Sequence, residues 1–294
     1  MNSRETGFLL LTGCLGDPER KPFTTARLRE LTKKARLMEK PVQQRELSLQ
    51  DLLQIGCGRE EAEHILHLLS QEEQLLRYVK TAAKWDCHPL TRVSDNYPAQ
   101  LRKTLALDAP GSLWYKGDVS LLGKPKISLV GSRDLQKQNQ MFAYQVGMQC
   151  AKQGYVLVSG HARGADQIAE ASCLENGGQV ICVVSDPLKN HPLQNNVLYI
   201  AEDGFDMAFT PYRALSRNRI IHALSEKTFV AQCTLGKGGT WDGTCKNLRH
   251  HWSSVFCFRD GSPASIELEQ MGATLIDFVV LQNISALQTE ITFF

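Results

Sequence analysis

No Cys-x-x-Cys pair occurs in this sequence. Its nine cysteines are odd in number and scattered, so neither a zinc ribbon nor a disulfide framework organises the fold. Scattered free thiols fit a reducing compartment and are expected as small core fillers. No apolar run reaches the length a membrane span needs, so no membrane partner is expected. Residues Met1 to Arg4 lack the basic start, apolar stretch and small-residue cleavage site of a secretory signal, and a cytoplasmic location is expected. Excess charge is missing too: 33 Lys+Arg against 31 Asp+Glu leave a formal +2. Contact with a polyanion must then come from where arginines and lysines are placed. No repeat or low-complexity tract is present. What remains is 294 residues, 43% apolar and 22% charged. That is a globular composition, long enough for one large domain and an appendage.

Residues 1–84 read as a polar helical domain. Between Arg27 and Arg45 lie seven basic residues and two acids, Glu30 and Glu39, which suits a solvated helix face or a surface for nucleic acid. Leu49, Leu52, Leu53 and Ile55 share one helix face, Gly56 and Gly58 break it, and Ala62, Ile65, Leu66 and Leu69 restart the period. This predicts a helix, Gly-containing hairpin and second helix. Residues 85–276 are a proline-bearing connector followed by short apolar strands that alternate with helices. Strands are predicted at 112–116, 127–130, 155–158, 179–184, 228–232 and 254–258, with helices at 141–153 and 165–175. That alternation predicts an α/β fold, a doubly wound, extended Rossmann-like parallel sheet covered on both faces. Residues 277–294 are apolar but unpatterned, and an extra strand or a packed tail is expected.

Ligands of open parallel sheets collect beyond the carboxyl ends of the strands. Four polar, glycine-bearing clusters fall there. Gly131-Ser132-Arg133 offers close backbone approach, a hydroxyl and a planar cation. Ser159-Gly160-His161-Ala162-Arg163-Gly164 runs into a helix, aiming amides and the positive helix end at the site, with Asp166 as a cap in the first turn. Arg217, Asn218 and Arg219 follow Ser216, read as an N-cap; cations at that end of a helix need an anionic ligand. A glycine-rich loop then carries Lys237, Gly239 and Thr240, suited to cradling phosphate. It lacks P-loop spacing, and no G-x-G-x-x-G follows the first strand, so no nucleotide cofactor is expected. No metal-ligand spacing is read, and no catalytic base faces a nucleophile. His161 sits at the pocket edge, where it could act, and is otherwise expected as a polar surface residue.

These motifs resemble the DNA-processing protein A (DprA/Smf) family. The resemblance runs over residues 95–276, through Tyr97-Pro98-x-x-Leu101, Asp108-Ala-Pro-x-x-Leu113 with Gly117, Val130-Gly-Ser-Arg133, Val158-Ser-Gly-x-Ala-x-Gly-Ala-Asp166, Gly177-Gly178, and Arg217-Asn-Arg-Ile-Ile221 with Leu224-Ser225. It implies an extended Rossmann fold that binds single-stranded DNA without cutting it. It also implies DNA uptake in natural transformation, loading of a RecA-type recombinase, and a homodimer formed through the Rossmann domain. Arg133, Ser159, Gly160, the Arg217-Asn218-Arg219 cluster and Lys237 resemble the family's DNA-contacting positions. The chain departs from the pattern at Phe209-Thr-Pro211, in the loop 236–243 and at Asp260-Gly261, and no winged-helix segment is read after the sheet.

Two alternatives use the same rim. A related phosphoribohydrolase group carries a catalytic glutamate in the loop matched by Leu235-Gly-Lys-Gly-Gly-Thr-Trp-Asp-Gly243, where that position is Gly243 and Asp242 is adjacent. A nucleotide-binding sensor would need a closed pocket instead of an open channel. In the single-strand reading, Phe209, Tyr212 or Trp241 offers a face for base stacking.

Overall fold

The computed structural model describes residues 1–17, 19–35 and 47–288. Five helices come first. They are α1 (Ser3–Thr12), α2 (Thr25–Ala35), α3 (Leu49–Gln54), α4 (Arg59–Leu69) and α5 (Glu72–Ala83). A capping box between Asn2 and Glu5 starts α1, and Ser48 with Asp51 repeats the device on α3. The predicted helix–hairpin–helix is α3 and α4, turned at Gly56 with φ +82°. Of the basic stretch, Arg36, Lys40 and Arg45 lie outside the described residues.

The chain then runs through β1 (His88–Thr91), α6 (Ala99–Leu105), β2 (Ser112–Gly117), β3 (Lys126–Val130), α7 (Lys137–Lys152), β4 (Val156–Ser159) and α8 (Ala165–Glu175). It continues through β5 (Gln179–Val184), β6 (Val197–Glu202), α9 (Pro211–Ser216), α10 (Asn218–Ala223), β7 (Lys227–Val230), α11 (Gly238–His250), β8 (Ser254–Phe258), α12 (Pro263–Gln270) and β9 (Thr274–Ile276). Among the described residues these nine strands form one sheet, ordered β1-β2-β6-β5-β4-β3-β7-β8-β9. The strands from β6 to β9 are parallel; β2 runs antiparallel to β6 and to β1. From β3 the chain steps outward to β6, then returns to β7 on the other side of β3. The doubly wound reading therefore holds, and the topological switch lies between β3 and β7.

One face buries Phe142, Val146, Ala169 and Cys173 of α7 and α8 with Leu9, Leu10, Leu75 and Tyr78 of α1 and α5. Tyr78, Trp114 and Phe205 meet ring to ring and join the helical segment to the sheet. The opposite face buries Leu101, Ile220, Ile221, Leu224 and Leu268. All nine cysteines are free and seven are buried, as core fillers should be. Phe278–Ala286 forms 3-10 turns after β9, with Leu281 and Ile284 buried and bonded to Gln153, the packed tail expected there. Among the described residues no helix is long and apolar enough to cross a membrane.

Three strands escape the sequence pattern. β1 sits in the connector, and β9 is three residues long. β6 is apolar, but only a short turn at Leu188–Asn190 separates it from β5, so the strand–helix alternation that reveals its neighbours is broken. A second correction concerns Ser216. It ends α9 and does not cap the next helix; α9 is started by Thr210, whose hydroxyl accepts the Arg213 amide, with Pro211 at the first helical position. Arg217 is thus the joint between α9 and α10.

Candidate functional site

Three of the four predicted clusters interlock at the switch point, and Arg217 and Asn218 of the fourth pack onto them. The loop after β3 is held by the loop after β7: Ser132 N–H donates to the Gln232 carbonyl at 2.9 Å, and Gln136 N–H donates to the Gln232 side chain at 2.9 Å. Thr240 Oγ1 donates to the Gly131 carbonyl at 2.9 Å, tying the start of α11 to the same loop. From the other side, Ala165 N–H donates to the Ser132 carbonyl at 3.2 Å. Gly164, at φ +92°, lies against the Ser132 and Arg133 carbonyls, where a Cβ would collide with backbone. Arg133 and Lys237 are exposed on these interlocked loops. Among the described residues neither side chain has a hydrogen-bond or ion-pair partner. Arg163 is exposed as well but pairs with Asp134 at 2.8 Å.

The loop after β4 is built on buried carboxylates. Asp166 Oδ2 accepts the Gly160 and Ala162 amides at 3.1 and 3.3 Å, so it caps its own upstream loop. Burial pushes its carboxyl up to about 7, against the pull of nearby Arg217. Glu170, one turn further along α8, accepts from the Ser159 hydroxyl, from the His161 amide at 3.1 Å and from the His161 ring at 2.7 Å. This corrects the reading of His161 as a surface polar residue. Its backbone is left-handed at φ +55°, fixed by the two bonds to Glu170, and the carboxylate holds the imidazole above its ordinary value. Cys182 lies 3.6 Å from His161 Nδ1, and burial holds its thiol well above the usual range.

Helix α10 presents Arg217. Ile220, Ile221 and Leu224 anchor it in the core, and Ser225 bonds Ser128 of β3 at 2.8 Å. The apolar and Ser positions of the Arg-Asn-Arg-Ile-Ile motif are thus the mount for its first arginine. Arg217 donates to the Val183 carbonyl at 2.5 Å and lies over Gly160, where any Cβ would strike the guanidinium. Its Nε is buried with no hydrogen-bond partner. Asn218 donates to the Gly239 carbonyl at 3.0 Å and locks α10 to α11.

Arg219 does not join the rim. Its guanidinium is bound to Glu202 and to Ser216 Oγ at 2.6 Å, so its charge is already neutralised by the end of β6. The glycine-rich loop is also shorter than the sequence implies, because α11 begins at Gly238 and takes in Gly239 and Gly243. Gly243, where a hydrolase of the related group would need its glutamate, lies against Asn218 and His222, and Asp242 pairs with Lys246 at 2.9 Å. Trp241 packs against the core, whereas Phe209 and Tyr212 are exposed. Sequence reasoning missed Glu170 and Gln232. Glu170 had a signal, four residues after Asp166 on one helix face.

Residues 88–256 match the family model described as DNA recombination-mediator protein A. The DNA processing protein DprA of Streptococcus pneumoniae is 33% identical over 199 residues, 63% of this chain and 69% of that protein. Protein Smf of Escherichia coli is 28% identical over 169 residues, 54% of this chain and 45% of its own length. An X-ray structure of DNA processing protein A from Streptococcus pneumoniae matches with TM-score 0.64 and 26% identity, over 86% of this chain and 95% of that one. A structure of the Helicobacter pylori protein, concerned with its single-stranded DNA binding mode, shares the fold at TM-score 0.56 and 24% identity, over 67% and 94% of the two chains.

Proposed function

This chain belongs to the DNA recombination-mediator protein A family, and on that premise we propose that it binds single-stranded DNA by its phosphates at the carboxyl edge of the sheet. The observation that carries this reading is the pair of exposed, unpartnered cations, Arg133 and Lys237, on loops that hydrogen-bond to one another. Gly131, Gly160 and Gly164 leave the room in which these loops pack on one another and on Arg217, while Ser132, Gly239 and Thr240 brace them through hydrogen bonds, so the loops hold the cations in place for phosphate. Arg217, with its unmet Nε, supplies a partly sheltered donor behind them. Arg163 lends its charge after exchange with Asp134. Ser159 acts through the Glu170 lock.

In this reading the rim binds its ligand without turning it over. Asp242 is tied to Lys246 and Gly243 has no side chain, so the hydrolase reading lacks its acid. Its family supports a role in DNA uptake and in handing strand to a RecA-type recombinase, and a homodimer working in the cytoplasm. A titration with single-stranded DNA, duplex DNA and mononucleotides over a salt series tests the reading. Single strands bind tightest, affinity falls as salt rises, and no free base is released from the mononucleotides. Salt-independent binding of a mononucleotide as tight as that of the strand overturns it.

A further inference from the structure

Away from the rim, a groove of about 720 Å³ lies between α1, α2 and α6. Four arginines from four separate segments line it: Arg4 on α1, Arg29 on α2, Arg92 after β1 and Arg102 on α6. Asp95 is the one acid among the described lining residues. The side chains of Arg4 and Arg29 have no hydrogen-bond or ion-pair partner among the described residues. Arg102 lies 5.5 Å from the Tyr97 ring centre, and Arg92 reaches the Ala106 carbonyl. Burial holds the Arg92 guanidinium below its ordinary value, and Arg102 and Arg29 push the same way. Like charges gathered around one groove from separate elements repel unless an anion sits among them.

The groove adjoins a second cleft on the side of the rim. This cleft, of about 850 Å³, shares Thr25 and Leu107 with it and is also lined by Asn218, whose side chain bonds the Gly239 carbonyl two residues from Lys237. The charges lining this cleft are mixed: Arg219 and Lys246 share it with Asp108, Glu202 and Asp203. It also carries three aromatic rings, Phe23, Tyr212 and Trp252, with Tyr212 79% exposed. Such a lining favours bases over phosphates.

We propose that the strand held at the rim continues through the aromatic cleft into the arginine groove, which is a second phosphate-binding site for the same single-stranded DNA. The proposal rests on the rim reading and extends it. The chain therefore has a long footprint: phosphates at Arg133 and Lys237, bases along the cleft, phosphates again at Arg4, Arg29, Arg92 and Arg102.

The test compares oligonucleotides of increasing length on the wild-type chain, on a variant carrying Arg4→Ala, Arg29→Ala and Arg102→Ala, and on its Arg→Lys counterpart. All three side chains are exposed, so the fold is retained, and melting temperature checks this. For the wild type, affinity and salt slope rise a second time once the strand is long enough to reach the groove. The alanine variant loses that second rise, with the slope lower by about 0.7 per phosphate contact removed. Its binding of short strands is unchanged, and the lysine variant keeps most of the rise. An alanine variant that binds long strands as the wild type does overturns the groove, as does an equal loss for short and long strands. Failure of the rim reading looks different: the wild type then binds neither length.

Discussion

Arg217 and Arg219 stand two residues apart and do opposite things. The sequence presents them as a pair of cations wanting an anion. Arg219 already has one in Glu202, a residue that was invisible as a partner because β6 itself was not legible. Arg217 has a carbonyl on one side, Gly160 beneath it and an unmet Nε. Gly160 is therefore required for space. Gly160→Ala drives a methyl group into the guanidinium, and the expected cost is about 1–3 kcal/mol from overpacking. A lower melting temperature, together with weaker binding of single-stranded DNA, checks this; an unchanged pair of values would mean that Arg217 is not held where the site needs it. The other interlocked residues were half legible. Gly-Ser-Arg and Ser-Gly stand out in sequence, but the side chains that brace them, Gln232 and Glu170, sit in predicted elements whose meeting with these loops only the fold reveals.

Elements are placed by contacts of the same kind. Helices α7 and α8 cross so closely that a Cβ on Gly147 would meet the backbone of Ala169, which cannot rotate away. Replacing a helical glycine by alanine ordinarily stabilises by about 1 kcal/mol. Here the clash is the larger effect, and Gly147→Ala is expected to destabilise by about 1–3 kcal/mol in a chemical denaturation curve. The short α10 shows why a motif can be legible while its geometry is not. Ile220, Ile221, Leu224 and Ser225 read as an apolar run with a serine, yet their use is to anchor one arginine through β3. The strands flanked by helices, β3 to β5 and β7 to β8, were readable from alternation alone. β6 was not, because the connection before it contains no α-helix, and α9 was not, because its start signal is two residues, Thr210 and Pro211.

At the scale of the whole molecule, two buried groups give stability opposite dependences on pH. His222 is buried against Asn247, 3.1 Å away, and burial pushes its imidazole down to about 3. Its folded value lies below the unfolded one of about 6.5, so it stabilises as the neutral ring. That contribution is complete above about pH 6.5 and is lost by about 1.4 kcal/mol per pH unit as pH falls toward 3. Asp166, raised to about 7, does the reverse: between about pH 4 and 7 the unfolded carboxyl ionises while the folded one keeps its proton, so stability falls as pH rises. Thermal melts of His222→Gln over this range should show a flatter acid limb than the wild type, and an unchanged limb would rule the group out. The larger architecture brings the interlocked loops to one rim, because the chain winds outward from β3 and returns beside it at β7. The measurement that bears most directly on the account is the salt dependence of single-stranded DNA binding for a chain carrying Arg133→Ala and Lys237→Ala together. The account predicts weaker binding at low salt and a slope of log K against log salt reduced by about 1.4, two contacts at about 0.7 each. An affinity and slope equal to those of the wild type would contradict it.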